Sequence, residues 1–309
     1  VPHHARQQRP PALPSDISSK PQEHSRMPST WLITGSSRGL GRALSEAVLR
    51  AGHRLVATAR DPAQLQDLAG RYGDAVRTVP LDVTDPAAAQ RAVQTAVDAF
   101  GGLDVLVNNA GYGDVDSVED TPLDAFRRQI ETNLFGTIIV TKAAIPVMRT
   151  QRSGRILQLS SVGGRLGAPG RAPYSAAKWG VEGFSECLAL EMALIGVHVT
   201  ILEPGGFRTD FAGASTSLRE GRADYDAVVG AAARRQRQYD GRQPGDPARA
   251  AQAILALAAM EAPPLRLALG SDAVAGIRAA DQARLAELER WRALSESTDF
   301  AADAAVEQT

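Results

Sequence analysis

Only one cysteine, Cys187, occurs in 309 residues, so no intrachain disulfide can form and a reducing cytoplasm is the expected setting. Its helical surroundings make it an expected small buried apolar residue. Excess charge is missing too. The net charge of −1 offers no electrostatic reason to expect nucleic acid or an anionic membrane surface as partner. No uninterrupted apolar run approaches the roughly 20 residues that a bilayer-crossing helix requires. Internal repeats and linker-like stretches are absent after residue 30, which argues for one domain.

Residues 1–29 are rich in Pro, Ser, Gln, Arg and His without apolar periodicity. They are expected to be a disordered leader or a cloning remnant, with Met27 as a candidate natural start. His3 and His4 lie in this tail and are read as solvated, and no metal site is expected. From Thr30 onward, strand-like runs fall at 30–34, 54–59, 75–80, 103–107, 154–160, 197–203 and 265–269. Helical periodicity occupies 40–51, 62–71, 86–100, 123–150, 173–195, 246–260 and 279–294. This alternation predicts an α/β fold over 30–294, a doubly wound parallel sheet of about seven strands with helices on both faces. Residues 295–309 read as a flexible tail, and 206–245 as a long lid with short helices.

Two stretches carry chemistry. "TWLITGSSRGLGRALSEAVLRAG", Thr30 to Gly52, reads as strand, glycine turn and helix, a layout that sets pyrophosphate over a helix N-terminus. Its spacing, Gly35, Gly39, Gly41, is GxxxGxG and not GxGxxG. Further on, "SSVGGRLGAPGRAPYSAAK" places Tyr174 and Lys178 one helical turn apart, behind a strand that ends in serine.

With these motifs the chain resembles the short-chain dehydrogenase/reductase family over roughly Thr30 to Leu269, in the manner of its hydroxysteroid- and retinol-type carbonyl reductases. The family's TGxxxGxG matches Thr34 to Gly41, its NNAG Asn108 to Gly111, its YxxxK Tyr174 to Lys178, and its PG loop Pro204-Gly205 with Thr209 after it. Asn133 in "ETNLFG" matches the family's helix asparagine. The resemblance implies a Rossmann-type fold and Asn133, Ser161, Tyr174 and Lys178 as the catalytic set. Tyr174 would be the general acid/base, its phenol lowered by nearby Lys178, and Ser161 would hold the substrate oxygen. Lys178 would also hold the nicotinamide ribose, and Asn133 a relay water. Implied cofactor contacts are Gly35, Ser37, Arg38, Gly39, Leu40, Gly41, Asp82, Val83, Asn109, Ala110, Gly111, Pro204, Gly205 and Thr209.

The end of the second strand bears on cofactor choice. Ala59 stands where NAD-using members carry an acid, and Arg60 follows it, so NADP is favoured over NAD. Arg38 is a second candidate for the 2′-phosphate, and a one-residue shift would instead bring Asp61 to the ribose. The expected partner is a small carbonyl or alcohol substrate, with Leu166, Phe207 and Phe211 as an apolar pocket wall. Arg219, Arg222, Arg234, Arg235, Arg237 and Arg242 read either as a sign of an acidic substrate or as a solvated face. The resemblance implies a homodimer or homotetramer through helices 123–150 and 173–195. Quinone or imine reduction, or a cofactor-binding regulatory or scaffold protein without catalysis, are the alternatives.

Overall fold

Trp31 and Ile33 pack on one face of the sheet and Leu32 on the other, and the same alternation recurs strand after strand. Leu55, Ala57 and Ala59 share the first face and Val56 the second; Val105 and Val107 oppose Leu106 in the same way. Both faces are apolar, so helices must cover both. A computed structural model describes residues 28–211 and 216–300.

Its elements in chain order are β1 (Thr30–Ile33), α1 (Gly39–Arg50), β2 (Arg54–Ala59), α2 (Gln66–Tyr72), β3 (Val76–Pro80), α3 (Pro86–Phe100) and β4 (Val105–Asn108). There follow α4 (Leu123–Ile130), a π-helical turn (Glu131–Phe135), α5 (Gly136–Gln151), β5 (Gly154–Leu159) and α6 (Ala172–Ala193). The chain continues through β6 (Val197–Pro204), α7 (Ala231–Tyr239), α8 (Pro247–Ala259), β7 (Arg266–Leu269) and α9 (Ser271–Glu296). All seven strands pair in parallel, in the order β3-β2-β1-β4-β5-β6-β7. Helices α1, α2 and α8 cover one face, and α3, α5 and α6 the other. The expected single doubly wound α/β domain is what the chain forms.

The chain winds outward from β1 to β3 and then crosses back to β4 on the other side of β1. This reversal leaves a crevice above the carboxyl ends of β1 and β4, the place where such sheets bind ligands.

Several elements depart from the sequence reading. Helix α9 begins at Ser271, eight residues before the expected 279, and runs to Glu296. Pro28 and Ser29 belong to the fold: Pro28 O accepts from Arg54, and Ser29 Oγ accepts from Trp31 Nε1. The expected leader otherwise lies outside the described residues, as do 301–309 of the expected tail and 212–215 of the expected lid. Cys187 sits on α6 as expected but is exposed, because the buried side of that helix is taken by Val181, Ser185, Leu188 and Met192. The helical run Leu123–Gln151 does reach the length and mean hydropathy (1.2) of a membrane span, although charged residues interrupt it. It packs one face on the sheet, with Val140, Ala144 and Met148 in the core.

Candidate active site

The strand ends and the turns that follow them enclose a cleft of about 1010 Å³. At one end, β1 turns into α1 through Gly35, whose φ of +70° favours glycine. Gly41 faces a different constraint: a Cβ there would lie 2.3 Å from Gly35 O and 2.4 Å from the Asn109 amide. Asn109 Nδ2 donates to Thr34 O and Gly35 O, so the "NNAG" turn after β4 braces the glycine turn after β1. The Thr34 hydroxyl adds to this brace by accepting from Asn109 N and Ala110 N.

The start of α1 differs from that of α3 and α8. Asp85 and Asp246 accept from the first backbone N–H groups of α3 and α8. Arg38 precedes α1, with no side-chain cap and no acid in the first turn. The free N–H groups and the positive end of the helix therefore open onto the cleft, which suits a pyrophosphate. A dinucleotide fits these residues: an uncapped helix start, a turn whose Gly35 and Gly39 leave the backbone open, and two arginines nearby.

Those arginines are Arg38 and Arg60, both exposed and both lining the cleft. Among the described residues neither forms an ion pair. Ala59 ends β2, in register with Pro80. Asp61 also lines the cleft, but its carboxylate accepts from Ala63 N at 3.0 Å and caps the short helical turn that follows. Asp82 accepts from Thr84 N (3.0 Å) and Thr84 Oγ1 (2.8 Å), which holds its carboxyl below the usual range.

At the other end lie Tyr174, Ser161 and Lys178. Gly113 and Gly163 flank the Tyr174 ring, and a Cβ at Gly113 would lie 2.7 Å from it. Phe211 packs against the ring with centroids 5.6 Å apart. Burial pushes the Tyr174 phenol up, against smaller downward pulls from Ser161 and then Arg171. Lys178 is itself pulled down to about 8 by burial, with the Glu182 carboxylate opposing. The cation that the sequence reading set against Tyr174 is thus weakened in the fold, and Arg171 supplies the opposing positive field. Lys178 Nζ donates to Leu159 O at 2.6 Å and lies 5.8 Å from the Tyr174 ring centroid. Ser161 accepts from Gly163 N at 3.0 Å, whereas Ser160 Oγ is buried towards Gly164.

The cleft brings together Gly35, Ser37, Arg38, Gly39, Leu40, Arg60, Asp82, Val83, Asn109, Ala110, Gly111, Ser161, Tyr174, Lys178, Pro204, Gly205 and Thr209. Gly41 and Asn133 stand behind its wall. Asn133 is fully buried in the π-helical turn, accepting from Tyr112 N and donating to Tyr112 O and Gln129 O. Its amide braces the backbone after β4, and a Cβ on Gly111 would lie 2.5 Å from Asn133 Oδ1 and 3.6 Å from Lys178 Nζ. Phe207 and Phe211 line the cleft; Leu166 does not, and turns towards Gly276 of α9.

Sequence reasoning missed two supports. Asp272, in the first turn of α9, accepts from Gly206 N at 2.7 Å and so holds the PG loop. An acid just after Gly270-Ser271 is a helix-start signal that could have revealed it. Beneath the Ser161 turn, Arg165 joins buried Glu203 of β6 to Asp281 of α9, both at 2.7 Å. No local pattern announces that link.

The family model for short chain dehydrogenases matches residues 29–220. The chain belongs to that family. Oxidoreductase BOA17 of Botryotinia fuckeliana (strain B05.10) is 46% identical over 270 residues, covering 87% of this chain and 98% of its own. A short-chain dehydrogenase structure from Streptomyces avermitilis is 40% identical with a TM-score of 0.82, over 89% of this chain and all of that one. An alcohol dehydrogenase from the archaeon Thermococcus sibiricus, solved with 5-hydroxy-NADP, is 25% identical with a TM-score of 0.64, over 79% and 96% of the two chains. As a short-chain dehydrogenase/reductase, this protein is an enzyme of the oxidoreductase class.

Proposed function

We propose that this dehydrogenase uses NADP(H) to interconvert a secondary alcohol and a ketone, or an aldehyde and its alcohol. The convergence of Tyr174, Ser161 and Lys178 at one end of a cleft with unpaired Arg38 and Arg60 at the other carries this reading. The dinucleotide, when bound, supplies or takes up the hydride. Tyr174 Oη gives its proton to the substrate oxygen in reduction and recovers it in oxidation. Because burial holds the phenol protonated, the resting site is set to donate a proton. Ser161 bonds the same oxygen and stabilises the charge that develops on it. Lys178, fixed by Leu159 O, would hold the ribose of the bound dinucleotide. Arg38 and Arg60 pair with the 2′-phosphate, a role open to them because no acid occupies position 59 and Asp61 caps its own turn. The exposed Phe135, Trp179, Leu190 and Leu194 on the outer helices support assembly as a homo-oligomer.

A cofactor-binding protein without catalysis would not need a buried tyrosine beside a serine and a lysine. The test is NADPH oxidation over a panel of ketones and aldehydes, read by absorbance. Turnover that depends on Tyr174 supports the reading; tight NADPH binding with no turnover on any carbonyl supports a regulatory role.

A further inference from the structure

Arginines are frequent around the mouth of the cleft, and their partners separate them. Arg219 pairs with Asp116, Arg222 with Glu119 and Asp120, Arg234 with Glu220 and Asp226, and Arg237 with Glu220. Arg235 and Arg242 are exposed and do not line the cleft. Arg208, also exposed and outside the cleft lining, donates from Nε to Gln243 O. Four arginines of the 206–245 segment are therefore neutralised by carboxylates and the other three are solvated, and none of the seven lines the cleft.

Arg171 stands apart. It precedes α6 and lies three residues before Tyr174, partly buried, in the cleft wall with Ala168 and Phe211. Its guanidinium sits 5.9 Å from the Tyr174 ring centroid, and Nη1 donates to Gly113 O at 3.0 Å. That bond engages one of five N–H donors. Among the described residues Arg171 has no ion pair. The nearby carboxylate, Asp114, accepts from Ser217 N at 2.9 Å and reaches Arg171 only through its field. A partly desolvated guanidinium without a carboxylate is costly to keep unless a ligand completes it. Its place also matters: Lys178 lies under the tyrosine against Leu159 and Gly111, while Arg171 lies beside Gly113 and the Tyr174 ring, on the cleft lining that it shares with Phe211 and along which a substrate would extend from the reacting carbon.

We propose that Arg171 is the anchor for an anionic group on the substrate, and that this enzyme acts on oxo acids or hydroxy acids whose carboxylate meets the Arg171 fork. The inference rests on the reading of Tyr174 as the proton donor and adds the class of molecule presented to it. Planar guanidinium and planar carboxylate match in two parallel hydrogen bonds, so the pairing selects acids over their esters and amides. A few bonds between carbonyl and carboxylate suit the short span from Tyr174 to Arg171.

The experiment compares phenylglyoxylate, 3-benzoylpropanoate and 4-acetylbenzoate with their methyl esters, in the wild type, Arg171→Gln and Arg171→Lys. The wild type should favour at least one acid over its ester by about ten- to 150-fold in kcat/KM, the contribution expected of a charge-assisted bond. Arg171→Gln should collapse that ratio towards one, and Arg171→Lys should restore part of it. An equal loss on acid and ester would make Arg171 a support for Tyr174 and overturn the proposal, as would a wild type that prefers esters throughout. A second arm needs no turnover: calorimetric binding of 4-phenylbutanoate and 4-phenylbutanamide to the NADP⁺ complex. Carboxylate binding that Arg171→Gln removes supports the anchor, and binding indifferent to residue 171 contradicts it. Failure to reduce any carbonyl would count against the proposed reaction, while this arm still decides the anchor.

Discussion

The floor of the cleft and the segment that overhangs it both carry arginines, and they use them in opposite ways. On the floor, Arg38 at the start of α1 and Arg60 just after β2 form no ion pair among the described residues, beside an uncapped helix start. Overhead, Arg234 bridges Glu220 and Asp226, and Arg222 ties its segment to Glu119 and Asp120. The same side chain is left free for a ligand in one place and is a strut in the other. What decides is whether folding brings a carboxylate within about 4 Å of it. An unpaired cation in the cleft keeps its charge available, as the proposed phosphate contact requires; a paired one has already lost it to the scaffold.

That contrast can be broken from the floor upward. Tyr174→Phe keeps the ring between Gly113 and Gly163 and removes only the hydroxyl, so turnover should fall by about 10²–10⁴-fold while NADPH still binds. Steady-state kinetics with a fluorescence titration measure both, and near-normal turnover would remove Tyr174 from the mechanism. A smaller effect concerns Lys178. With its ammonium at about 8 in the fold and about 10.4 in the unfolded chain, the unfolded chain binds more protons between those values. Stability must therefore rise with pH across that window, and below it the charged lysine is a burden. Melting temperatures of the wild type and Lys178→Met, taken without cofactor at pH 7 and 9.5, should converge or cross in favour of the wild type at the higher pH. A gap that ignores pH would mean that Lys178 titrates normally. The smallest effect belongs to the overhang: Arg234→Ala removes exposed ion pairs and should change kcat/KM by no more than about twofold. A large loss there would show that the overhanging arginines face the substrate after all.

Much of the floor was legible in the sequence because it follows local rules. Trp31, Leu32 and Ile33 announce a strand buried on both faces, and the glycines after it announce a turn that leaves room for a ligand. Asn133 was legible as a motif residue, but its place behind the wall was not, since a π-helical turn directs the amide onto Tyr112. Gly41 was read as a cofactor contact, yet its lack of a side chain makes room for Gly35 and Asn109. Leu166 was assigned to the pocket by its loop alone, and only the packing of α9 turns it away. The early start of α9, Asp272 on the PG loop and the Arg165–Glu203–Asp281 link all join parts of the chain far apart in sequence. Local periodicity has no access to such pairings, nor to the absence of one at Arg171.

The central claim is that the unpaired arginines at the start of α1 and just after β2 read the cofactor. It is tested most directly by titrating the wild type, Arg60→Ala and the Arg38→Ala/Arg60→Ala double variant with NADPH and with NADH. The account predicts a wild type that prefers NADPH, a loss of about ten- to 150-fold in NADPH affinity in Arg60→Ala, and near-constant NADH affinity. The double variant should bind the two cofactors almost equally. A wild type that prefers NADH, or equal losses for both cofactors in Arg60→Ala, would contradict it and return the ribose to Asp61.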